Sequence, residues 1–312
     1  MASRSRPSHD VGSLRPDAAS PMTDGDRSAP PRELILTLSC PDRRGIVAGV
    51  AGLIAERGGN IIDSHQFGDP DQGVFFMRIH FAVADGTDAA DWRGGLQPLV
   101  EEMAMTWELH DVAVRPRLLV LVSREGHCLN DLLYRWRTGG IPADIVAVAS
   151  AHGDFSDLAT AYGLPYHRLP GPGTDVAALD RAVLGLVERE RADLVVLARF
   201  MQILGPEACA ALAGRAINIH HSFLPSFKGA RPYRQAHERG VKLIGATAHY
   251  VTEQLDEGPI IEQEVARVDH SHSVAELSRV GRDVECVALA RAVRWHVERR
   301  VLLHGQRTVV FR

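Results

Sequence analysis

An amide and an imidazole stand two residues apart, Asn218 and His220, at the end of the apolar run RAINIHH (215–221). Strand side chains return to the same face every second residue, so the two groups point the same way. Polar groups at the end of a buried strand are costly unless they are paired or put to use. An amide N–H can donate to a developing oxyanion, and an imidazole can donate a hydrogen bond or a proton. A carboxylate beside the imidazole would keep it protonated or orient it. Asp256, in LIGATAHYVTEQLDEGPII (243–261), is the acid candidate. Asn218, His220 and Asp256 around one carbonyl would catalyse acyl transfer through a tetrahedral intermediate.

Other chemistries find less support. His220 and His221 are adjacent, and neighbours on a strand face opposite sides, which does not suit a shared metal ion. His270 and His272 share a face but sit in a polar turn without a clear third ligand. The GPG at 171–173 follows no strong strand and is not a dinucleotide fingerprint. No GxSxG elbow is present, and Ser222 has no evident base. Cys40, Cys128, Cys209 and Cys286 form no CxxC pair, so they read as reduced packing thiols.

Two kinds of segment must position these groups. ELILTLSC (33–40), NIIDSHQF (60–67), VFFMRIHF (74–81) and WELHDVAV (107–114) read as strands, with helices over 45–57 and 91–105. That order is a ferredoxin-like βαββαβ unit. After Arg115-Pro116-Arg117, continuous apolar strands at 117–123, 143–150, 192–199 and 215–221 alternate with helices near 129–137, 154–162 and 176–190. A long amphipathic helix (274–299) closes this part. Such alternation predicts a doubly wound, mostly parallel Rossmann-like sheet, whose ligands bind beyond the carboxyl ends of the strands. Asn218 and His220 fall there. The expected organisation is a disordered leader (1–31), a small α/β domain (32–114), a linker (115–117) and a larger α/β domain (118–312).

The chain has 312 residues, 45% hydrophobic and 24% charged, with a formal net charge of −4. That composition is globular, and the acidic balance argues against a nucleic-acid partner. No apolar run approaches the roughly 20 residues of a membrane helix, and the leader has no signal-peptide core, so a cytoplasmic protein is expected.

LARFMQILGPE (197–207), INIHHSFLPSFKGARPYRQAHERG (217–240) and HYVTEQLDEGPII (249–261), in that order, resemble the folate-dependent formyltransferase family. The resemblance spans 117–312 and puts the family's catalytic Asn-x-His and Asp on Asn218, His220 and Asp256. It implies 10-formyltetrahydrofolate as substrate, with no metal and no further cofactor. It also implies a pterin slot lined by Met201, Gln202, Ile203 and Leu204. The loop Val251, Thr252, Glu253, Gln254 and Leu255 would read the ring edge with main-chain groups. Lys228 and Arg231 would meet the folate's glutamate tail or lie on solvated surface.

SCPDRRGIVAGVAGLIAERGGNI (39–61) resembles the ACT family of amino-acid-sensing modules. The resemblance implies a regulatory amino-acid site near Asp42, Gly45, Ile46 and Asn60. A helix start offers N–H groups to a carboxylate, and Gly45 admits a ligand closely. The alternative is that this domain only mediates assembly, and a homo-oligomer is implied either way. An ACT domain ahead of a formyltransferase domain is similar to the formyl-folate deformylase branch. Its implied reaction gives tetrahydrofolate and formate, supplying formate for purine synthesis and balancing one-carbon folate pools.

The acceptor can be judged from one loop. The purine-pathway transferase of this family cradles its acceptor's phosphate in a Gly- and Ser-rich loop after the first strand, as small residues and backbone N–H groups allow. Here the place reads SREGHCLNDLL (123–133), with Glu125 adding negative charge and His127 and Cys128 adding bulk. Water is therefore the expected acceptor. The alternatives are transfer to an amine and a non-catalytic sensor.

Overall fold

The computed structural model describes residues 31–84, 88–225 and 232–312. Residues 1–30 of the leader, and Lys228 and Arg231, lie outside the described residues. In the N-terminal part, β1 (Arg32–Pro41), β2 (Asn60–Asp69), β3 (Val74–Val83) and β4 (Thr106–Asp111) form an antiparallel sheet in the order β2-β3-β1-β4. Leu34, Leu36, Leu38 and Cys40 alternate into its core. They meet Ile46, Val50 and Ile54 of α1 (Ile46–Glu56), and Trp92, Leu96 and Val100 of α2 (Ala89–Met103). The strand period of two and the helical spacing of three and four thus converge on one buried layer. This is the βαββαβ order expected from the sequence.

The larger sheet contains β5 (Arg117–Val122), β6 (Asp144–Ser150), β7 (Tyr166–Arg168), β8 (Leu194–Ala198), β9 (Ala216–His220), β10 (Leu243–Tyr250) and β11 (Ile260–Arg267). Their order is β11-β10-β9-β8-β5-β6-β7. β5 to β9 run parallel, whereas β10 and β11 are antiparallel additions at one edge. Helices cover both faces. Leu118, Val120 and Val122 pack with α3 (His127–Arg137) and α8 (Val274–Val297), while Leu119 and Leu121 pack with α5 (Val176–Glu190) and α6 (Pro206–Ala211). Burial on both faces explains why these strands are continuously apolar. From β5 the chain winds outward to β6 and β7, then returns to β8 and β9 on the other side. The crevice where that order reverses lies at the carboxyl ends of β5 and β8.

Several elements depart from the pattern expected from the sequence. Residues 243–261, from which the sequence singles out Asp256, contain β10 and the start of β11. The long helix ends at Val297, and a hairpin, β12 (Val301–His304) and β13 (Arg307–Val310), follows it. Short α4 (Ser156–Ala161) was expected, whereas α7 (Pro232–Arg239) was not.

Polar contacts join the two parts. His304 Nε2 and Arg307 Nη2 hydrogen-bond to Asp69 Oδ2 at 3.1 and 3.4 Å. Arg78 donates from Nε and Nη2 to the Glu298 carbonyl, at 3.1 and 3.0 Å, just past the end of α8. A guanidinium suits a helix C-terminus, where carbonyls lack intrahelical partners.

Candidate active site

β9 brings Asn218 and His220 to the mouth of a cavity of about 680 Å³. β10 pairs with β9 in the register His249 opposite Asn218 and Thr247 opposite His220, so His249 enters the same face. Its Nδ1–H donates to the Tyr250 carbonyl at 2.9 Å, which leaves Nε2 as an acceptor. Asn218 Nδ2 donates to that Nε2 at 3.3 Å, so the amide is oriented and keeps a second N–H for the cavity. Burial lowers the His249 pKa and keeps the ring neutral, as this acceptor role requires.

Asp256 reaches the same point from the turn between β10 and β11. Its Oδ1 lies 3.2 Å from His220 Nδ1 and 3.9 Å from His249 Nε2. Gly258 allows this turn, since a Cβ there would collide with the Tyr250 carbonyl. Asp256 itself has φ 58°, a left-handed backbone that an acidic residue tolerates better than most. Burial alone would raise its carboxyl pKa, but the hydrogen bond and charge of His220 outweigh it and lower it. The acid is therefore held ionised. The other His220 nitrogen, Nε2, is buried and has no hydrogen-bond partner among the described residues. A buried polar atom of this kind calls for a partner such as a bound water or a ligand atom.

The sequence reading missed His249, since finding it required the antiparallel pairing. It also misjudged His221. β9 ends at His220, so strict alternation stops there, and the two imidazoles stack with centroids 5.1 Å apart. Burial, with the charges of Arg199 and His220, pushes the His221 pKa down to about 4.

Met201, Gln202, Ile203 and Leu204 line the cavity, as do Val251, Thr252, Glu253 and Leu255. Met201, Ile203 and Leu255 are apolar yet 62%, 60% and 59% exposed. Gln202 Nε2 is buried without a hydrogen-bond partner among the described residues. Gln254 is a correction. It does not line the cavity; its carbonyl accepts from Thr252 Oγ1 at 3.0 Å and from the Glu257 N–H at 3.3 Å, closing the turn. The slot loop is held by Ser123 Oγ, which accepts from the Met201 N–H at 2.8 Å. Buried Asp180 accepts from the Gly205 and Ala208 N–H groups at 2.7 and 3.1 Å, capping α6.

The loop after β5 is occupied by side chains. A Cβ on Gly126 would collide with the ring of Phe155, and Glu125 is ion-paired with Arg199 at 3.0 Å. His127, Cys128 and Glu285 also bring potential metal-ligand atoms within 4.8 Å of one another. There Glu285 already accepts from His127 Nε2 at 2.7 Å and from the Tyr233 hydroxyl at 2.6 Å.

The regulatory residues inferred for the smaller domain do not all come together within one chain. Asp42 and Gly45 share the turn between β1 and α1, and Gly45 has φ 94° at the helix start. Ile46 is buried in the core, so only its main chain faces that turn. Asn60 pairs with Ala82 at the far end of the sheet, whereas Pro41 and Asp69 both pair with Val74 beside the turn. A strand of ten residues separates them, because α1 returns the chain to the opposite edge before β2 begins.

The cavity lies at the carboxyl ends of the parallel strands of a doubly wound sheet, and comparison with known proteins shows the family. The formyl transferase family model matches residues 116–293, and the ACT domain model matches residues 34–91. A formyltetrahydrofolate deformylase from Corynebacterium sp. (strain P-1) is 46% identical over 279 residues, covering 89% of this chain and 98% of the relative. A crystal structure of formyltetrahydrofolate deformylase from Burkholderia mallei superposes with a TM-score of 0.85 at 52% identity, over 90% of this chain and 100% of that one. One from Pseudomonas syringae pv. tomato gives a TM-score of 0.88 at 46% identity, over 91% and 96%. The chain belongs to the formyltetrahydrofolate deformylase family.

Proposed function

We propose that this protein hydrolyses 10-formyltetrahydrofolate to tetrahydrofolate and formate, with Asn218, His220 and Asp256 as the catalytic residues and without a metal or other cofactor. The observation that carries the assignment of roles is the contact of His220 Nδ1 with an ionised Asp256 at 3.2 Å beside Asn218 in the cavity wall, together with a buried His220 Nε2 that has no partner among the described residues. The formyl oxygen takes its place against that nitrogen and the second N–H of Asn218. Water attacks the formyl carbon, and the two donors stabilise the oxyanion. Asp256 accepts the water's proton and keeps the imidazole oriented. As the carbon–nitrogen bond breaks, the proton taken up by Asp256 passes to N10, and formic acid leaves and ionises to formate.

The pterin lies between the exposed apolar side chains of Met201, Ile203 and Leu255, with Gln202 supplying a hydrogen bond. Formate released in this way feeds purine synthesis and balances the one-carbon folate pools. A small amino acid acting through the ACT domain, a homo-oligomeric assembly and a cytoplasmic location belong to the same reading. No helix among the described residues is long and apolar enough to cross a membrane. Transfer to an amine is not favoured, since the loop after β5 is filled by Phe155 and the Glu125–Arg199 pair.

The test is incubation with 10-formyltetrahydrofolate in an amine-free buffer, following formate and tetrahydrofolate together. Equimolar release is expected; tetrahydrofolate appearing only when an amine is added, with N-formyl amine in place of formate, would select the transferase.

A further inference from the structure

Arg199 follows β8 directly and adopts φ 61°, a left-handed backbone that a long side chain rarely takes. Such conformations persist only where the surroundings over-determine them, and they gather at functional sites. Its side chain is buried and lines the cavity beside the catalytic residues. Two carboxylates clamp it. Nε and Nη2 donate to Glu125 Oε2 at 3.3 and 3.0 Å, and Nε lies 3.3 Å from Glu285 Oε2.

Glu285 is only 1% exposed and is held in turn by His127 and Tyr233. Tyr233 can reach it because Gly281 on α8 leaves its ring room; a Cβ there would overlap the phenol. From the catalytic centre, contacts run from His220 to His221, to Tyr233, to Glu285 and to Arg199. The hydrolytic chemistry uses none of the last three. Burial of this guanidinium and carboxylate is offset by their mutual charge and hydrogen bonds, which hold both ionised and fix the guanidinium in place.

We propose that Arg199 is a specificity-determining residue: held between Glu125 and Glu285, its guanidinium fills the polar end of the cleft that an acceptor amine must enter, and leaves space there for water. This rests on the hydrolytic reading above and says what enforces it. In the native enzyme the water oxygen bonds to the formyl carbon, the N10–carbon bond breaks and N10 gains a proton. With the plug removed, an amine nitrogen bonds to that carbon instead. The amine then loses a proton, N10 gains one, and the products are tetrahydrofolate and an N-formyl amine.

Glycine suits the left-handed backbone, so Arg199→Gly opens the space while easing the local conformation. Native enzyme and R199G are each given 10-formyltetrahydrofolate with glycinamide or 2-aminoethyl phosphate, and formate, N-formyl amine and tetrahydrofolate are quantified. Native enzyme is expected to release formate equal to tetrahydrofolate at every amine concentration. In R199G the ratio of N-formyl amine to formate is expected to rise roughly tenfold or more. A purely structural role for Arg199 would lower the rate without moving this ratio. If R199G loses the native thermal transition, Arg199→Asn, which also tolerates this backbone, gives the same reading. A folded variant whose formate still equals its tetrahydrofolate at all amine concentrations overturns the proposal. A native enzyme that releases no formate overturns the hydrolytic reading instead.

Discussion

His220 sets one ring nitrogen against Asp256, and the other has no partner among the described residues, so each neighbour of the ring has a separable effect. His220→Ala and Asn218→Ala each remove an oxyanion donor, and turnover should fall roughly 10²–10³-fold in steady-state assays. Asp256→Asn keeps the shape but cannot take the proton, and a comparable loss is expected while folate binding persists. His249→Leu tests orientation: Asn218 loses its acceptor, and turnover should drop by about 10²-fold with the thermal transition retained. Equal activity in H249L and native enzyme would show that the amide needs no such support. Asn218 and His220 were legible in the sequence because a period of two puts them on one face. His249 was not legible, because its place depends on a long-range antiparallel register that no local pattern announces. His221 was misjudged for a local reason, the end of β9 at His220.

Helices and turns hold these residues, and their legibility varied with length. The continuous apolar strands and the helix at 176–190 could be read from the sequence, since each repeats a period often enough to be recognised. Three-residue β7 and six-residue α6 repeat no period, and β10 and β11 lay hidden behind the motif they carry. The loop at the slot depends on Asp180, whose carboxylate serves two N–H groups. Asp180→Ala would strand those donors, and KM should rise roughly tenfold with a smaller change in kcat. A variant with native KM would show that the slot loop keeps its shape without that carboxylate. Ser273 and Glu276 form a reciprocal cap at the start of α8. Ser273→Ala should cost about 1 kcal/mol. That lowers Tm by about 2–4 °C in a thermal melt, with turnover little affected.

The molecule as a whole contains several imidazoles that folding keeps neutral. Burial pushes His296 down to about 3 and, with Arg199 and His220, His221 to about 4; burial also lowers His249, all from 6.5. The unfolded chain takes up protons near pH 6.5, and the folded chain does so only below that. The stability tied to these groups is therefore complete above about pH 6.5 and is lost as pH falls toward the folded values. Thermal melts between pH 7.5 and 5 should show a falling Tm, steeper than in a His296→Gln variant. A Tm that does not change across this range would contradict it. The two-part organisation was visible in composition and rhythm. The hairpin that ties the parts together through Asp69 was not, since its polar partners lie 235 residues apart or more.

The central claim is that solvent is the acceptor at the Asn218, His220 and Asp256 centre. It is tested most directly by turnover in water enriched with oxygen-18, with mass analysis of the formate. One labelled oxygen in each formate from the native enzyme, and no formate above background from His220→Ala, is the predicted result. Unlabelled formate, or labelled formate at native rate from the variant, would contradict the account.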